Sequence, residues 1–234
     1  MNFSSVEAGI LYEDNHLLVY NKLPSQIVQG DKTGDLPLSE ILKNFIKERE
    51  NKPGNVYMGV VHRLDRPVSG AVIFAKTSKA LTRLNNLLKN GEIHKTYWAI
   101  VKNMPPAESD HLVHHLQRNE QKNKSFAFDK PVPNSRKAEL IYRLIAASDG
   151  YYLLEINLLT GRHHQIRSQL SKIGCPVKGD LKYGFNRSNS DASISLHARK
   201  VDLIHPVSKE ALSVIADPPS DPLWNYFLKS VPVD

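Results

Sequence analysis

The chain is poor in cross-linking residues: Cys175 is its only cysteine, which excludes an intrachain disulfide and a thiolate metal cluster. No apolar run reaches the roughly eighteen residues that a membrane-spanning helix needs. The N-terminal stretch has an acidic pair at Glu13-Asp14 and no apolar core segment. That argues against a signal peptide and makes the cytoplasm the expected compartment. Asp31-Lys32-Thr33-Gly34 lacks the glycine-rich turn that a phosphate loop places ahead of its lysine. There is no internal repeat and no low-complexity tract. Positive charge, by contrast, is in excess. Lys and Arg number 31 against 24 Asp and Glu, giving a net charge of +7 and a pI near 9.3. That balance favours a polyanionic partner, either nucleic acid or an anionic membrane surface. With 234 residues, 41% hydrophobic and 24% charged, the chain has the composition of a globular protein of one large domain or two small ones.

Residues 1–9 read as a short polar lead and 10–234 as the folded body. Ile10–Asp14 and His16–Lys22 are two strands about a turn at Asp14-Asn15. A helix begins after Asp35-Leu36-Pro37, with Ile41, Leu42, Phe45 and Ile46 on one face and Lys43, Lys47 and Arg49 on the other. Ala71–Lys76 is a short buried strand. Thr77 or Ser78 caps a helix in which Leu81, Leu84 and Leu88 recur at helical spacing, and Gly91 suits the left-handed position after its last turn. Lys95–Val101 is a strand by its β-branched and aromatic content. Residues 103–137, rich in proline and polar side chains, read as surface loops and ragged strands. Ala138–Ala147 and Tyr151–Leu158 form a hairpin about Asp149-Gly150. Thr160 caps a helix running to about Ile173, ended by Gly174 and Pro176. Ile194–Ile204 and Leu212–Ala216 are strands, and Asp221-Pro222 opens a last helical turn or two with Trp224 and Phe227. Many strands with segregated helices give an α+β class with a mainly antiparallel sheet.

Three stretches carry candidate chemistry. Val60-Val61-His62-Arg63-Leu64-Asp65-Arg66-Pro67-Val68-Ser69-Gly70 sets a carboxylate between an apolar entry and a Pro/Gly exit, ahead of a buried strand. Such a loop, constrained at the end of a sheet, is a common seat of catalytic groups. Read alone, Arg63 and Asp65 are a structural ion pair that fixes the loop. Leu159-Thr160-Gly161-Arg162-His163-His164-Gln165-Ile166-Arg167-Ser168-Gln169-Leu170 places Arg167 beside the buried stripe of Ile166, Leu170 and Ile173. A guanidinium there requires a carboxylate. The third is Lys95-Thr96-Tyr97, whose tyrosine alone reads as core filling. His111, His114 and His115 have metal-like spacing, but zinc would need further ligands and no cysteine lies near them, and no metal is expected. Gln117 to Lys137, with Arg118, Lys122, Lys124, Lys130 and Arg136, is either a solvated surface or an RNA-facing wall with Phe126 and Phe128 to stack on bases.

His62-Arg63-Leu64-Asp65 followed by Ser69-Gly70 resembles the signature of the RluA family of pseudouridine synthases, with Val68 where the family usually has Thr. The string Thr160-Gly161-Arg162, then His164-Gln165-Ile166-Arg167, resembles a second family motif, with Gln169 in place of the usual His. Lys95-Thr96-Tyr97 resembles a third. The likeness continues through Gly174, Pro176, Gly179-Asp180, Tyr183-Gly184, Leu196-His197-Ala198 and His205-Pro206.

The resemblance implies the pseudouridine synthase fold, a central, mainly antiparallel sheet with peripheral helices and an RNA-binding cleft. It implies isomerisation of a uridine in transfer or ribosomal RNA, with Asp65 as the catalytic carboxylate, either nucleophile or base. Tyr97 is the implied handler of the C5 proton and Arg167 the implied partner of Asp65. His62, Arg63, Arg162 and Gln165 are implied contacts to RNA. No cofactor, metal or membrane is implied, no separate RNA-binding module is expected, and the enzyme is expected to act as a monomer. Two other classes fit the same residues: a catalytically silent RNA-binding protein, and an RNA nuclease using His62, His163 or His197.

Overall fold

A computed structural model describes residues 3–31 and 33–231. In chain order the elements begin with α1 (Phe3–Glu7), β1 (Ile10–Glu13), β2 (Leu17–Lys22), α2 (Leu38–Arg49), β3 (Gly59–Val60), β4 (Ser69–Ala75) and α3 (Ser78–Asn90). They continue with β5 (His94–Val101), β6 (Ser109–Asn119), β7 (Lys124–Phe128), β8 (Arg136–Ser148), β9 (Tyr151–Leu158) and α4 (Gln165–Lys172). A 3-10 turn (Leu181–Tyr183), β10 (Leu196–Ile204), β11 (Ala211–Ile215) and α5 (Pro222–Ser230) complete the order. The chain divides into two compact units, Met1–His94 with Ala198–Asp217, and Lys95–His197 with Pro218–Asp234.

In the first unit β2 pairs antiparallel with β1 and with β4, in register from Leu17 opposite Ala75 to Lys22 opposite Gly70. β10 lies next to β4, and β11 pairs antiparallel with β10. All seven residues of β4 are buried, as its unbroken apolar run requires of a central strand. Leu17, Val19, Ile73, Ala80, Leu84 and Val201 are among the core residues of this unit. Helix α3 begins at the Thr77 cap, whose side chain accepts from the Ala80 N–H at 3.1 Å. It ends at Gly91 with φ of 77°, the left-handed conformation expected there. Helix α2 starts after Pro37 and buries Leu38, Leu42, Phe45 and Ile46. The N-terminal lead is not simply polar coil. Its α1 buries Val6, and Phe3 lies 4.5 Å from the Phe45 ring between centroids.

In the second unit the strand order is β5-β9-β8-β6-β7, with every pair antiparallel. The β8–β9 hairpin turns at Asp149-Gly150, where Gly150 has φ of 83°. Trp98, Ile100, Leu153, Trp224 and Phe227 form a core under α5. That last helix has nine residues, longer than the sequence suggested, and Asp221 caps it by accepting from the Leu223 and Trp224 N–H groups.

The irregular reading of 103–137 does not hold. The segment contains β6, β7 and the start of β8, with Leu112, His114 and Leu116 buried at alternate positions. The helix start at Thr160 is also corrected. Thr160 binds the backbone of Glu139, and α4 begins only after His164, which turns the chain with φ of 52°.

Candidate active site

In the first unit the candidate site is the turn that precedes β4. The Val68 N–H donates to the Asp65 carbonyl at 3.0 Å, which closes Asp65–Val68 into a tight turn containing Pro67. Leu64 and Val68 are buried at either end, Asp65 is half-buried, and Arg63 and Arg66 are exposed. Gly70 follows with φ of 115°, and a Cβ there would fall 2.3 Å from the Ala198 carbonyl oxygen. Only glycine lets the turn enter β4 so close to the β10 backbone.

The turn is held from β2. Lys22 is fully buried, and its Nζ donates to the carbonyls of Leu23 at 3.0 Å, Arg66 at 3.1 Å and Val68 at 2.6 Å. An ammonium has three N–H donors, and each here meets an oxygen, as a buried cation demands. The Lys22 pKa is drawn down to about 7, chiefly by burial, with the Asp65 charge opposing the fall and the Arg66 charge adding to it. Ser25 N–H adds a bond to the Arg66 carbonyl at 2.9 Å. The Arg66 guanidinium reaches the other way, to the Asp35 carboxylate and Thr33 hydroxyl. His62 turns back onto β4, its Nε2 accepting from the Ile73 N–H at 3.2 Å.

In the second unit Tyr97 sits on β5 opposite Ile156 and is 6% exposed, so its ring is mostly core. The loop before α4 is cross-braced. Thr160 Oγ1 donates to Gln165 Oε1 at 2.8 Å, Arg162 N–H donates to the same oxygen at 2.9 Å, and Gln165 Nε2 donates to the Glu139 carbonyl at 3.0 Å. Gln165, expected to touch RNA, is a buried strut of its own loop. Arg162 remains exposed, with its Nε on the Lys137 carbonyl at 3.0 Å.

The first six residues of α4, Gln165 to Leu170, are buried all round, so its polar groups must find partners inside. Ser168 Oγ donates to the Ser125 carbonyl at 3.1 Å, and Gln169 Nε2 lies 3.0 Å from His114 Nδ1. His114 therefore points toward α4, and burial lowers its pKa, while His111 and His115 lie on the other side of β6. Among the described residues no group of three or more His, Cys, Asp or Glu is arranged to hold a metal ion.

Arg167 does find a buried carboxylate. Within its own unit it is Asp180: Nε donates to Oδ2 at 2.6 Å and Nη2 to Oδ1 at 2.9 Å. The Tyr183 ring lies under the guanidinium, 5.0 Å from its carbon to the ring centroid. Sequence reasoning gave no role to Lys22, Asp180 or Tyr183. The signals were a lysine ending an apolar strand, and the Gly179-Asp180 and Tyr183-Gly184 pairs.

Residues 16–172 match the family model described as RNA pseudouridylate synthase. An uncharacterised RNA pseudouridine synthase of Synechocystis is 30% identical over 97% of this chain and 71% of its own length. The ribosomal large subunit pseudouridine synthase C of Vibrio cholerae is 29% identical over 91% of this chain and 66% of its own. Among solved structures, human RNA pseudouridylate synthase domain containing 4 superposes with a TM-score of 0.78 at 22% identity, covering 97% of this chain and 94% of that one. That likeness fixes the fold as the pseudouridine synthase fold. The matched span, the order of the motifs and the relatives agree: the chain belongs to the RNA pseudouridylate synthase family of isomerases, in its RluA group.

Proposed function

We propose that this chain converts a uridine of ribosomal or transfer RNA to pseudouridine and that Asp65, Tyr97 and Arg167 carry the reaction. The carrying observation is the turn that bears Asp65, closed on itself and fastened by a buried lysine. A backbone turn fastened this way fixes where its side chain starts, which supports a role in which geometry matters to chemistry. The rearrangement is balanced within the nucleotide. The bond from the ribose to uracil N1 breaks, a bond to C5 forms, the C5 proton leaves, and N1 gains one. No oxidant or reductant is consumed.

A stacked base hides its ribose carbon, so the uridine must be flipped out of the helix first. Asp65 acts at the ribose as nucleophile or base. Tyr97 handles the C5 proton, and Arg167 supplies the cation that favours an ionised carboxylate. Arg63, exposed two residues before Asp65, fills the space of the departed base, and Arg162 and His62 touch RNA. The protein works in the cytoplasm as a monomer. Among its described residues no helix is long and apolar enough to cross a membrane.

The Vibrio relative is named for the ribosomal large subunit, which makes that RNA the first substrate to try. The test is release of label from C5-labelled uridine in purified RNA. The parent should release it without shortening the RNA, and Asp65→Asn should fold, bind and release none. Substantial turnover by Asp65→Asn would reject the assignment.

A further inference from the structure

Arg167, like Lys22, is a cation with almost no exposure to water, at 5%, and its surroundings form a built cradle. Asp180 is 1% exposed and Tyr183 3% exposed. The carboxylate takes the Nε and Nη2 edge of the guanidinium in two parallel bonds of 2.6 and 2.9 Å. Such a fork fixes both the position and the plane of the group. The tyrosine ring supports the flat face.

The cradle is itself fastened at several points. Gly179 has φ of 88°, and a Cβ there would lie 2.8 Å from the Ser193 carbonyl oxygen, so glycine is required to bring Asp180 into place. The Asp180 N–H donates to Val177 at 3.0 Å, and its carbonyl accepts from Tyr183 at 3.1 Å and Phe185 at 3.0 Å. The Tyr183 hydroxyl accepts from the Ser125 N–H at 2.8 Å and lies 3.0 Å from His164 Nδ1. Its carbonyl accepts from Ser171 Oγ at 2.7 Å.

We propose that Asp180 is a positioning residue for the reaction: by holding the Nε and Nη2 edge of Arg167, with Tyr183 beneath, it directs the Nη1 end of the guanidinium to its catalytic task. This rests on the reading that Arg167 serves the reaction. Simple neutralisation of a buried charge would need a carboxylate but no particular alignment. The paired bonds, the ring below and the glycine behind Asp180 define an alignment, and that difference can be tested.

Pseudouridine formation is measured at saturating and limiting RNA for the full chain, with each variant's folded fraction fixed by thermal melting. Asp180→Asn should lower kcat about 10- to 100-fold with KM within about threefold of the parent. Asp180→Glu keeps the charge but shifts the guanidinium by about 1 Å, so it should melt near the parent yet lose at least about tenfold in kcat. On an Arg167→Met background, Asp180→Asn should change residual turnover by less than about twofold, because the two act as one unit. Parental kcat in either folded Asp180 variant, with Arg167→Met strongly impaired, overturns the positioning role alone. So does a loss explained entirely by unfolded protein, or failure of both Asp180 variants to fold. Parental kcat in Arg167→Met instead removes the reading of Arg167 on which the proposal rests.

Discussion

The Nζ of Lys22 and the carbonyl oxygen of Val68 lie 2.6 Å apart, and this bond ties the end of β2 to the far side of the turn that bears Asp65. Lys22→Met keeps the length of the side chain and removes its donors. Three carbonyls then lose their partner, so the change should cost about 2–4 kcal/mol. The parent also carries a pH signature. The folded value of Lys22 is lowered to about 7, whereas an unfolded lysine titrates near about 10.4. Between those pH values the unfolded chain keeps a proton that the folded chain has shed. The group's contribution to stability is therefore full above the ordinary lysine value and lost as pH falls through about 7. The urea midpoint of the parent, taken relative to Lys22→Met, should rise from pH 7 to pH 10. A flat difference would contradict a buried, depressed ammonium.

Gly70→Ala tests the close approach of β4 and β10. The φ of 115° and the 2.3 Å clash with the Ala198 carbonyl leave no room for a methyl group. A loss of about 3 kcal/mol or more is expected in urea unfolding. A loss below about 1 kcal/mol would mean that the strand can shift to make space.

Tyr97→Phe separates packing from chemistry. The ring is buried on β5, so losing only the hydroxyl should leave stability within about 1.5 kcal/mol. If the hydroxyl handles the C5 proton, turnover should fall about 100-fold or more. Unchanged turnover would assign Tyr97 to the core and leave proton transfer to another group.

Much of this was legible in the chain. The unbroken apolar text of β4, Thr77 and Gly91 around α3, and Asp149-Gly150 in its hairpin each follow from local chemistry with few competitors. The strands of 103–137 were hidden because one inward position of β6 is a histidine, which breaks the apolar alternation that marks a half-buried strand. Thr160 looked like a cap because caps and turn braces use the same hydroxyl, and only the fold shows Glu139 taking it. The carboxylate of Arg167 was foreseen as a necessity. Asp180 escaped because a 13-residue separation through a turn gives no periodic signal.

The RNA surface is tested by salt. Arg118 and Lys122 are exposed at the β6–β7 end, whereas Lys124 is engaged over the rings of Phe126 at 5.5 Å and Tyr183 at 4.9 Å. Affinity for RNA should fall with log salt at a slope on the order of −0.7 per phosphate contact. Arg118→Glu and Lys122→Glu should each weaken binding and flatten that slope by about one contact, while kcat at saturating RNA stays near the parent. An unaltered slope in both would remove this hairpin from the RNA-binding surface.

The glycine contact with Ala198 has a consequence for how the protein is made. A ribosome releases β4 early, but its neighbour β10 lies beyond almost the whole of the second unit in the chain. Until Ala198–Ile204 emerges, an apolar strand waits with one edge open except at Phe74 and Ala75, where β3 pairs with it, a state prone to pairing with other chains. Nascent chains halted before Ala198 should be cut readily by protease within the first unit, and chains extended past Asp217 should resist. The need to shelter one strand for most of translation thus falls on the cell's chaperones, set by the order of the strands rather than by the stability of the finished fold.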